Sequence, residues 1–440
     1  MASSIEKTVT RKVFMRLLPL LIGLYIISYL DRVNVGFAAL TMNADIGLSS
    51  AVYGWGAGLF FIGYCLFEVP SNILMTKVGA RRWIARILLT WGAIATCMAL
   101  VEGPKSFLTL RFLLGVAEAG FFPAVITYLT LWFPARYRAR IISIFMLSIP
   151  VSLALGAPIS SALLGLDGMF GLKGWQWLFI IQGLPGVFMV GVVLKYLTDS
   201  PQAAKWLTDA EKDWLRAELE KDVKHNHRAI GSGTSVFKIF LNPIILALCG
   251  IYFCACAANV GLSMFLPQIL KQQGFANMEI GFLTAIPYIV GCVGMVTIGF
   301  LSDRFQKRKA FVISAMLLIA AGMVGAGYLA GSVYAIAAMS VATIGIMGCK
   351  GPFWPLPALY LSGTSAAAGV ALINSVGNLG GFFGPGMVGM AKDMTGDFQS
   401  GLYLLAALAI VGVILTMLFV SDKGPQAKKD SGGEPAVANG

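Results

Sequence analysis

Apolar runs of roughly 20 residues recur along the chain, and shorter polar or charged segments separate them. A helix needs about 20 apolar residues to cross the hydrocarbon core of a bilayer, so the pattern predicts an all-α membrane protein with twelve transmembrane helices. The predicted spans are 17–39, 53–75, 83–101, 106–131, 140–163, 177–198, 243–268, 279–300, 310–331, 333–357, 366–390 and 400–421. The first run has a polar stretch before it and no small-residue cleavage site close behind it, so we expect it to remain as an uncleaved span.

A polar segment between the sixth and seventh spans divides the predicted helices into two sets of six. The predicted domains are an N-terminal bundle (1–198), a cytoplasmic linker (199–238), a C-terminal bundle (239–421) and a disordered cytoplasmic tail (422–440). In the linker, Thr208-Asp-Ala-Glu211 is typical of a capping box and predicts a short surface helix that ends near Lys224. The Gly-Ser-Gly-Thr-Ser sequence at 231–235 predicts a flexible join.

Composition agrees with a membrane protein, because 57% of the residues are hydrophobic, only 12% are charged, and the mean hydropathy is +0.78. Soluble domains carry about 25% charged residues. The net charge of +12 is also seen in nucleic-acid-binding proteins, but here the basic residues concentrate in alternate loops. Only four lie in the other loops: Lys105, Lys173, Lys271 and Lys392. This positive-inside asymmetry predicts a multi-pass protein of the cell inner membrane with both termini in the cytoplasm, and it explains the charge without nucleic acid.

Motifs for other chemistry are absent from the sequence. All seven cysteines fall in apolar runs, which favours free thiols over disulfides. The only histidines, His225 and His227, lie in the polar linker, so we expect no metal site. Neither a G-x-x-x-x-G-K-[ST] loop nor an H-E-x-x-H motif is present. A membrane enzyme or an ATP-driven pump is therefore disfavoured, and we expect no cofactor.

Away from the ends of the predicted spans, six Asp, Glu, Lys or Arg residues remain in the membrane interior: Asp31, Arg32, Glu68, Arg111, Glu118 and Lys350. A charge in the middle of a membrane helix costs about 2.5–3.5 kcal/mol on insertion scales, and such residues usually face a partner or a water-filled cavity. Any function of the membrane interior should therefore involve these six residues.

The spacing of the charges indicates which of them share a helix face. Arg111, Gly115, Glu118 and Phe122 are spaced i, i+4, i+7 and i+11, which predicts one stripe on span four. Tyr25, Tyr29, Arg32 and Gly36 predict a comparable stripe on span one. One interpretation is purely structural: the arginines pair with Asp31 and Glu118, and Lys350 pairs with Glu118. However, three cations and two carboxylates cannot all pair, and this favours an anion as the missing partner.

Polar and aromatic residues of other spans are further candidates for binding. Asn374 and Asn378 share a face of span eleven, Tyr64 lies on span two, and Trp354 lies on span ten. The amides and phenols suit a substrate with hydroxyl groups, and the aromatic rings suit an aromatic acid. The asparagines and tyrosines could equally form hydrogen bonds between helices.

The two halves of the sequence resemble each other. The stretch Glu118 to Tyr128 aligns without a gap on Lys350 to Tyr360, which superimposes Pro123 on Pro355 and one tyrosine on the other. Spans five and eleven share a Gly/Pro kink, and a Gly/Asp/Arg-containing loop after span eight corresponds to the loop after span two. We therefore expect a duplicated six-helix unit, and repeat-built transporters bind substrate near the midplane between the halves.

These motifs resemble the major facilitator superfamily over essentially the whole chain. Gly299-x-x-x-Asp303-Arg304 is similar to the superfamily's signature loop, although the first copy has Thr76 where an acid is expected. Within the superfamily, the chain resembles the anion:cation symporter group. The residues that carry this likeness are Tyr29-x-Asp-Arg-x-Asn-x-Gly36, Phe67-Glu-Val-Pro-Ser-Asn72, Arg111 with Glu118, and Trp132-Phe-Pro with Arg138-Ala-Arg140.

The resemblance implies two pseudo-symmetric six-helix bundles and a monomer that imports a small organic anion together with protons. It implies that Arg32, Tyr64 and Arg111 hold the anion and that Asp31 and Glu118 take part in proton coupling. We expect Lys350 to add a positive charge from the other half, with Trp354, Asn374 and Asn378 completing the site. Gating is expected at Glu68, Asp303 and Arg304. Alternatives are an importer of an aromatic acid, an anion exchanger, a uniporter and a sensor that transports nothing.

Overall fold

The structure is a computed structural model that describes residues 4–229, 241–361 and 363–422. The described residues form α-helices and short 3-10 turns, with no β-strand among them. Eleven of these helical segments are long and apolar enough to cross a membrane. In the region of the eleventh predicted span, the chain forms two 16-residue helices in series. The predicted membrane fold is thus confirmed, and span eleven is interrupted.

The N-terminal half contains the first six spans. Spans one to three are α1 (Ser4–Asp45), α2 (Ser50–Val78) and α3 (Ala80–Cys97). Span four consists of α4 (Pro104–Glu118) and α5 (Phe121–Trp132), span five of α6 (Ala135–Met146) and α7 (Ser148–Leu164), and span six of α8 (Gly174–Tyr196). The linker helix α9 (Asp209–Ala229) follows.

The C-terminal half repeats this order. Spans seven to nine are α10 (Pro243–Gln272), α11 (Asn277–Phe305) and α12 (Arg308–Tyr328). Span ten consists of α13 (Tyr334–Gly348) and the short α14 (Lys350–Phe353). Span eleven consists of α15 (Gly363–Asn378) and α16 (Gly380–Thr395), and span twelve is α17 (Gln399–Phe419).

Helix α1 begins 13 residues before its predicted span. The extension carries a buried stripe, because Val9, Val13 and Leu17 are spaced four residues apart and are at most 1% exposed. This spacing places the three side chains on one helix face. The charged residues between them kept this part of the chain out of a prediction based on apolar length.

Span four is interrupted immediately after Glu118. Gly120 has a φ of 84°, a left-handed conformation that favours glycine, and α5 begins at Phe121. Pro123 follows in the first turn of α5, where a missing N–H is tolerated. The prediction of one continuous stripe from Arg111 to Phe122 is therefore wrong, since the two residues lie on different helices.

Two tyrosines at aligned positions make the same contact in the two halves. The Tyr128 hydroxyl donates to the backbone oxygen of Thr198 at 2.7 Å, just beyond span six. The Tyr360 hydroxyl donates to the backbone oxygen of Ser421 at 2.7 Å, just beyond span twelve. These matching bonds support the internal duplication that the sequence predicts.

In each half, the residue that follows this backbone acceptor in the chain is an aspartate, and the two aspartates have equivalent roles. Asp199 accepts the Arg81 backbone N–H at 2.8 Å, at the start of α3. Asp422 accepts the Lys309 backbone N–H at 2.7 Å, at the start of α12. A carboxylate stabilises the positive end of a helix dipole. Each half therefore ends by capping its own third span.

The linker helix begins with the predicted capping box. The Thr208 N–H donates to Glu211 at 2.9 Å, and the Glu211 N–H donates to the Thr208 hydroxyl at 3.4 Å. Glu211 also accepts from Lys12 of α1 at 2.6 Å. Burial by itself raises the pKa of Glu211, but the bonds from Lys12 and Thr208 outweigh it and lower that pKa. The helix continues past Lys224 to Ala229.

Further ion pairs attach α9 to the N-terminal half. Arg136 pairs with Glu218 at 3.2 Å, and Arg138 pairs with Asp222 at 3.3 Å. Asp222 also accepts the Ala135 N–H at 2.7 Å, at the start of α6. The linker helix is therefore docked on the N-terminal half. The flexible join predicted at 231–235 and the tail beyond residue 422 lie outside the described residues.

Glycines allow the helices of one half to pack closely. A Cβ added to Gly115 of α4 would lie 2.0 Å from the Phe60 backbone oxygen of α2. Such a contact requires the two helices to separate. Small residues are common at helix contacts in membranes, because packing supplies much of the association energy there.

We therefore predict that Gly115→Ala destabilises the protein by about 1–3 kcal/mol, the usual cost of overpacking. Thermal unfolding of the purified protein measures this loss. Gly191→Ala is the matched control, since Gly191 also lies in a spanning helix and nothing lies within 4 Å of its added Cβ. Equal unfolding temperatures for the two variants would contradict the close packing of α4 on α2.

Candidate functional site

A cavity lies between the two halves, and residues of both halves line it. Its empty volume is about 1290 Å³, including space open to solvent. Seven of the residues predicted to bind substrate or to gate line it: Arg32, Tyr64, Glu68, Lys350, Trp354, Asn374 and Asn378. Asp31, Arg111 and Glu118 lie behind this lining and are at most 2% exposed.

Arg32 is paired to Glu118 at the wall of the cavity. A guanidinium nitrogen lies 2.5 Å from the Glu118 Oε1 atom, which also accepts from the Ser28 hydroxyl at 2.8 Å. Glu118 is 1% exposed, whereas the Arg32 side chain is 15% exposed. The Glu118 Oε2 atom has no hydrogen-bond partner among the described residues. The pair thus leaves the carboxylate half satisfied and the guanidinium accessible from the cavity.

Aromatic rings surround the guanidinium of Arg32. Its central carbon lies 5.3 Å from the ring centre of Tyr29, 5.0 Å from that of Phe60 and 5.4 Å from that of Tyr64. Cation–π contacts stabilise a guanidinium that has lost water. The cage therefore helps to stabilise the positive charge of Arg32 at the cavity wall.

Asp31 faces away from the cavity, toward α3. Its carboxylate accepts from the Trp91 indole N–H at 2.8 Å and from the Asn34 amide at 2.8 Å. It forms no ion pair within the described part of the chain, so neutral donors alone satisfy it. Asp31 and Arg32 are neighbours in the chain, yet their side chains contact different helices, α3 and α4.

Arg111 is also buried away from the cavity in this conformation. It donates to the backbone oxygen of Ala57 at 2.9 Å and lies 5.3 Å from the ring centre of Phe60. Arg32 contacts the same ring, so Phe60 is shared by the two guanidinium groups. No carboxylate among the described residues lies within ion-pair distance of Arg111, although Asp31 and Glu118 are within electrostatic reach.

Lys350 brings a positive charge from the C-terminal half. It begins α14 and lines the cavity, and its amine lies 3.8 Å from the Met347 sulfur. No carboxylate of the described chain pairs with it. Glu118 pairs with Arg32 and makes no ion pair with Lys350, so the alternative in which Lys350 pairs with Glu118 does not hold in this conformation. Lys350 is thus a cation at the cavity wall without a counter-charge.

An aromatic cluster lies beside Lys350. The ring of Tyr252 stacks on Phe353 with centres 5.4 Å apart, and it meets the edge of Trp354 at 5.0 Å. All three residues line the cavity. Tyr252 was not predicted from the sequence, whereas Trp354 was.

The residues predicted to gate occupy two different places. Glu68 of α2 lies 3.4 Å from the Asn374 amide of α15, so the two halves meet there. Asp303 and Arg304 are exposed at the end of α11, and neither lines the cavity. In the described residues neither forms an ion pair. Geometry therefore connects Glu68 with the cavity but not Asp303 or Arg304.

Sequence reasoning missed one polar face of span seven. Tyr252, Cys256, Asn259 and Ser263 are spaced i, i+4, i+7 and i+11 on α10, and all four line the cavity. The same spacing relates the stripe Tyr25, Tyr29, Arg32 and Gly36 of span one. The signal was present in the sequence, but no Asp, Glu, Lys or Arg lies on this face of span seven to mark it.

The fold and the cavity together define a class of protein. Spanning helices in two related halves enclose a cavity that both halves line, and its walls carry charges that membranes otherwise exclude. This is the architecture of a solute transporter that works by alternating access. A family model described as the Major Facilitator Superfamily matches residues 21–385. The chain therefore belongs to the Major Facilitator Superfamily, as its motifs suggested, and it is a transporter and not an enzyme.

Two relatives and one solved structure illustrate the likeness. A protein of Agrobacterium vitis named "Putative tartrate transporter" is 48% identical over 94% of this chain and 92% of its own length. The "Quinolone resistance transporter" of Acinetobacter baumannii is 45% identical over 94% of this chain and 95% of its own length. A bacterial homologue of the human lysosomal transporter Spinster shares the fold, with a TM-score of 0.73 at 20% identity, over 92% of this chain and 97% of that one.

Proposed function

We propose that the protein imports a small organic carboxylate, such as a tartrate-like dicarboxylate or a sugar acid, together with protons. It does so across the cell inner membrane as a monomer, with both termini and the linker helix in the cytoplasm. The domains are the N-terminal bundle (1–198), the linker (199–238), the C-terminal bundle (239–421) and the tail (422–440). The observation that carries the proposal is that two cations, Arg32 and Lys350, line one cavity from opposite halves.

An anion in the cavity would have a partner in each half. The Arg32 guanidinium suits a carboxylate, because its planar fork matches the two carboxylate oxygens. Lys350 supplies a point charge that no carboxylate of the described chain neutralises. A substrate that touched both residues would join the halves, which is the link that alternating access requires between binding and movement.

The pair between Arg32 and Glu118 supplies a mechanism for proton coupling. A substrate carboxylate that takes the place of Glu118 on Arg32 leaves the Glu118 carboxylate buried without its counter-charge. A buried carboxylate without a partner is costly, and protonation removes that cost. Anion binding therefore favours proton binding, and by linkage a proton on Glu118 favours the anion to the same degree.

The formal charge of the site points in the same direction. Arg32, Arg111 and Lys350 are opposed by Asp31 and Glu118, so the net charge is +1, and it becomes +3 when both acids are protonated. No histidine lies in the spans to carry the proton. We assign proton coupling to the two carboxylates, with Glu118 the one that contacts the anion-binding arginine.

Hydroxyl-bearing acids find suitable partners around the two cations. Asn374, Asn378 and Asn259 line the C-terminal side, and Tyr64 lines the N-terminal side. Amide and phenol groups both donate and accept hydrogen bonds. The name of the Agrobacterium vitis relative supports a hydroxylated dicarboxylate of this kind.

An aromatic acid is the second candidate, and one observation favours it. The cluster of Tyr252, Phe353 and Trp354 lies beside Lys350, so a ring could pack on the cluster while its carboxylate faces a cation. Hydroxyphenylacetate and phthalate represent this class. Parallel uptake assays with tartrate and with these aromatic acids distinguish the two candidates.

The remaining residues belong to the proposal as gates. Glu68 would hold the inner mouth through Asn374, and Asp303 with Arg304 would act at the cytoplasmic ends of the spans. Anion exchange in the same fold is an alternative transport mode. Measurement of proton flux during anion uptake separates symport from exchange.

Arg111 is proposed to hold the anion in a conformation of the transport cycle in which it reaches the cavity. Arg111→Lys keeps the charge but loses the planar fork, so we predict a loss of transport of about tenfold or more, as for a charged hydrogen bond. Uptake into proteoliposomes measures it. Arg86→Lys is the control, because Arg86 also packs over an aromatic ring, that of Trp83, at 4.0 Å. Near-normal uptake by a well-expressed Arg111→Lys protein would refute this assignment.

Lys350→Ala is predicted to weaken the binding of a dicarboxylate about 10- to 100-fold, the value of a hydrogen bond to a charged group. The binding of a matched monocarboxylate should weaken much less. The reason is that the second carboxylate loses its cation while the first keeps Arg32. Competition of each acid with labelled substrate gives both affinities. Lys307→Ala, at an exposed lysine, is the control. Equal losses of affinity for the two acids would mean that Lys350 contributes only to the overall electrostatic field of the cavity.

Glu118→Gln mimics the protonated acid permanently. We predict that this variant still binds and exchanges substrate but no longer accumulates it when a pH difference is applied. Counterflow in proteoliposomes tests whether exchange is retained, and proton-driven uptake, measured side by side, tests whether accumulation is lost. Glu102→Gln, at an exposed acid, is the control. Full pH-driven accumulation by Glu118→Gln would leave Asp31 alone as the coupling residue.

A further inference from the structure

The backbones of the two halves approach closely at the end of the protein that carries the loop between α1 and α2. A Cβ added to Gly54 of α2 would lie 2.3 Å from the Pro385 backbone oxygen of α16. One added to Gly389 of α16 would lie 2.1 Å from the Ser50 backbone oxygen. The two backbones are thus in direct contact along a seam between α2 and α16. In the proposed topology this is the periplasmic end, and the seam closes the cavity on that side.

Asp393 lies at the end of this seam, one helical turn beyond Gly389. Its Oδ1 atom accepts the Ser50 N–H at 3.0 Å, and its Oδ2 atom accepts the Ala51 N–H at 2.8 Å. The next N–H, that of Val52, donates to the Ser49 hydroxyl at 3.2 Å. The first N–H groups of a helix have no partner within the helix. A carboxylate of the C-terminal half therefore caps a helix of the N-terminal half.

The related seam between α7 and α11 is built differently. There Gly281 packs against Ser161 and the backbone of Ala157. The start of α11 is capped by its own Glu279, which accepts the Ala276 N–H at 2.9 Å. Within the described residues, no carboxylate crosses between the halves at this second seam. The cap provided by Asp393 thus breaks the symmetry of the duplicated fold.

The nearby Asp397 shows that capping by itself does not require a contact between halves. Asp397 accepts the Gln399 N–H at 2.9 Å, at the start of α17 in its own half. That bond moves with the half and survives any change in the position of the other one. The two bonds of Asp393 persist only while α2 and α16 remain in contact.

We propose that Asp393 is a latch. It stabilises the state in which the cavity is closed at the periplasmic end, and so it sets the balance between the two access states. Opening at this end separates α2 from α16, which removes the carboxylate from the positive end of the α2 dipole. Charges at helix ends contribute modestly at exposed positions, and Asp393 is exposed. The latch therefore biases the equilibrium about two- to fivefold and does not lock it. This role rests on alternating access, but not on the identity of the substrate or on proton coupling.

The test measures the distance between the halves directly, with no substrate and no proton gradient. Nitroxide labels are carried by non-natural amino acids at Lys105 and Lys271, which are both exposed. The distance between the labels reports on the separation of the two halves at the periplasmic end. Pulsed electron resonance on the purified protein in nanodiscs gives the populations of short and long distances. Asp393→Ala should raise the ratio of long to short distances about two- to fivefold, and Asp397→Ala should leave it unchanged.

Asp393→Glu keeps the carboxylate and should restore part of the population of the closed state, whereas Asp393→Asn should behave like the alanine variant. These two variants also decide the question if Asp393→Ala does not fold. Thermal unfolding is measured in parallel, because a purely structural role would lower the unfolding temperature without changing the distances. Unchanged distance populations in folded Asp393 variants would overturn the latch. Loss of proton-driven uptake in other variants would leave this result untouched.

Discussion

The cost of a charge in a low-dielectric interior is the constraint on which this site depends. Each buried ionisable residue solves it in a different way. Arg32 and Glu118 neutralise each other, Asp31 is satisfied by two neutral donors, and Arg111 binds a backbone oxygen and an aromatic ring. Lys350 alone has neither a carboxylate nor a strong acceptor among the described residues. The cavity therefore contains a partly compensated arginine facing an uncompensated lysine, and an anion completes the set.

Interrupted helices place these charges where they can act. Glu118 is the last residue of α4, and Lys350 is the first residue of α14, so both lie where a span is interrupted. Broken helices in membranes are tolerated where they border a cavity or are buried in protein. Phe122 and Trp354, each four residues after one of these charges in the chain, also line the cavity.

The two ends of the molecule are organised by different interactions. At the linker end, ion pairs attach α9 to the N-terminal half, and the capping bonds of Asp199 and Asp422 each remain within one half. At the opposite end, glycine contacts and Asp393 join one half to the other. Bonds within a half make it a rigid unit, whereas bonds between halves must form and break during alternating access. The arrangement thus separates the bonds within each moving half from the contacts between the halves, such as that of Asp393.

The sequence by itself determined the twelve-span fold, the duplication and the six charges of the interior, because apolar length and the cost of buried charge act locally along the chain. It also indicated the charged residues and some of the polar residues of the cavity lining, including Arg32, Tyr64, Lys350 and Asn374. Only the tertiary structure decided which charges pair, since Asp31 and Arg32 are adjacent in sequence and yet face different helices. The structure also shows that Arg111 lies behind Phe60, that the stripe on span four is interrupted, and that the polar face of span seven lines the cavity. The pairing of the charges and the position of Arg111 depend on contacts between distant helices, and no local periodicity encodes them.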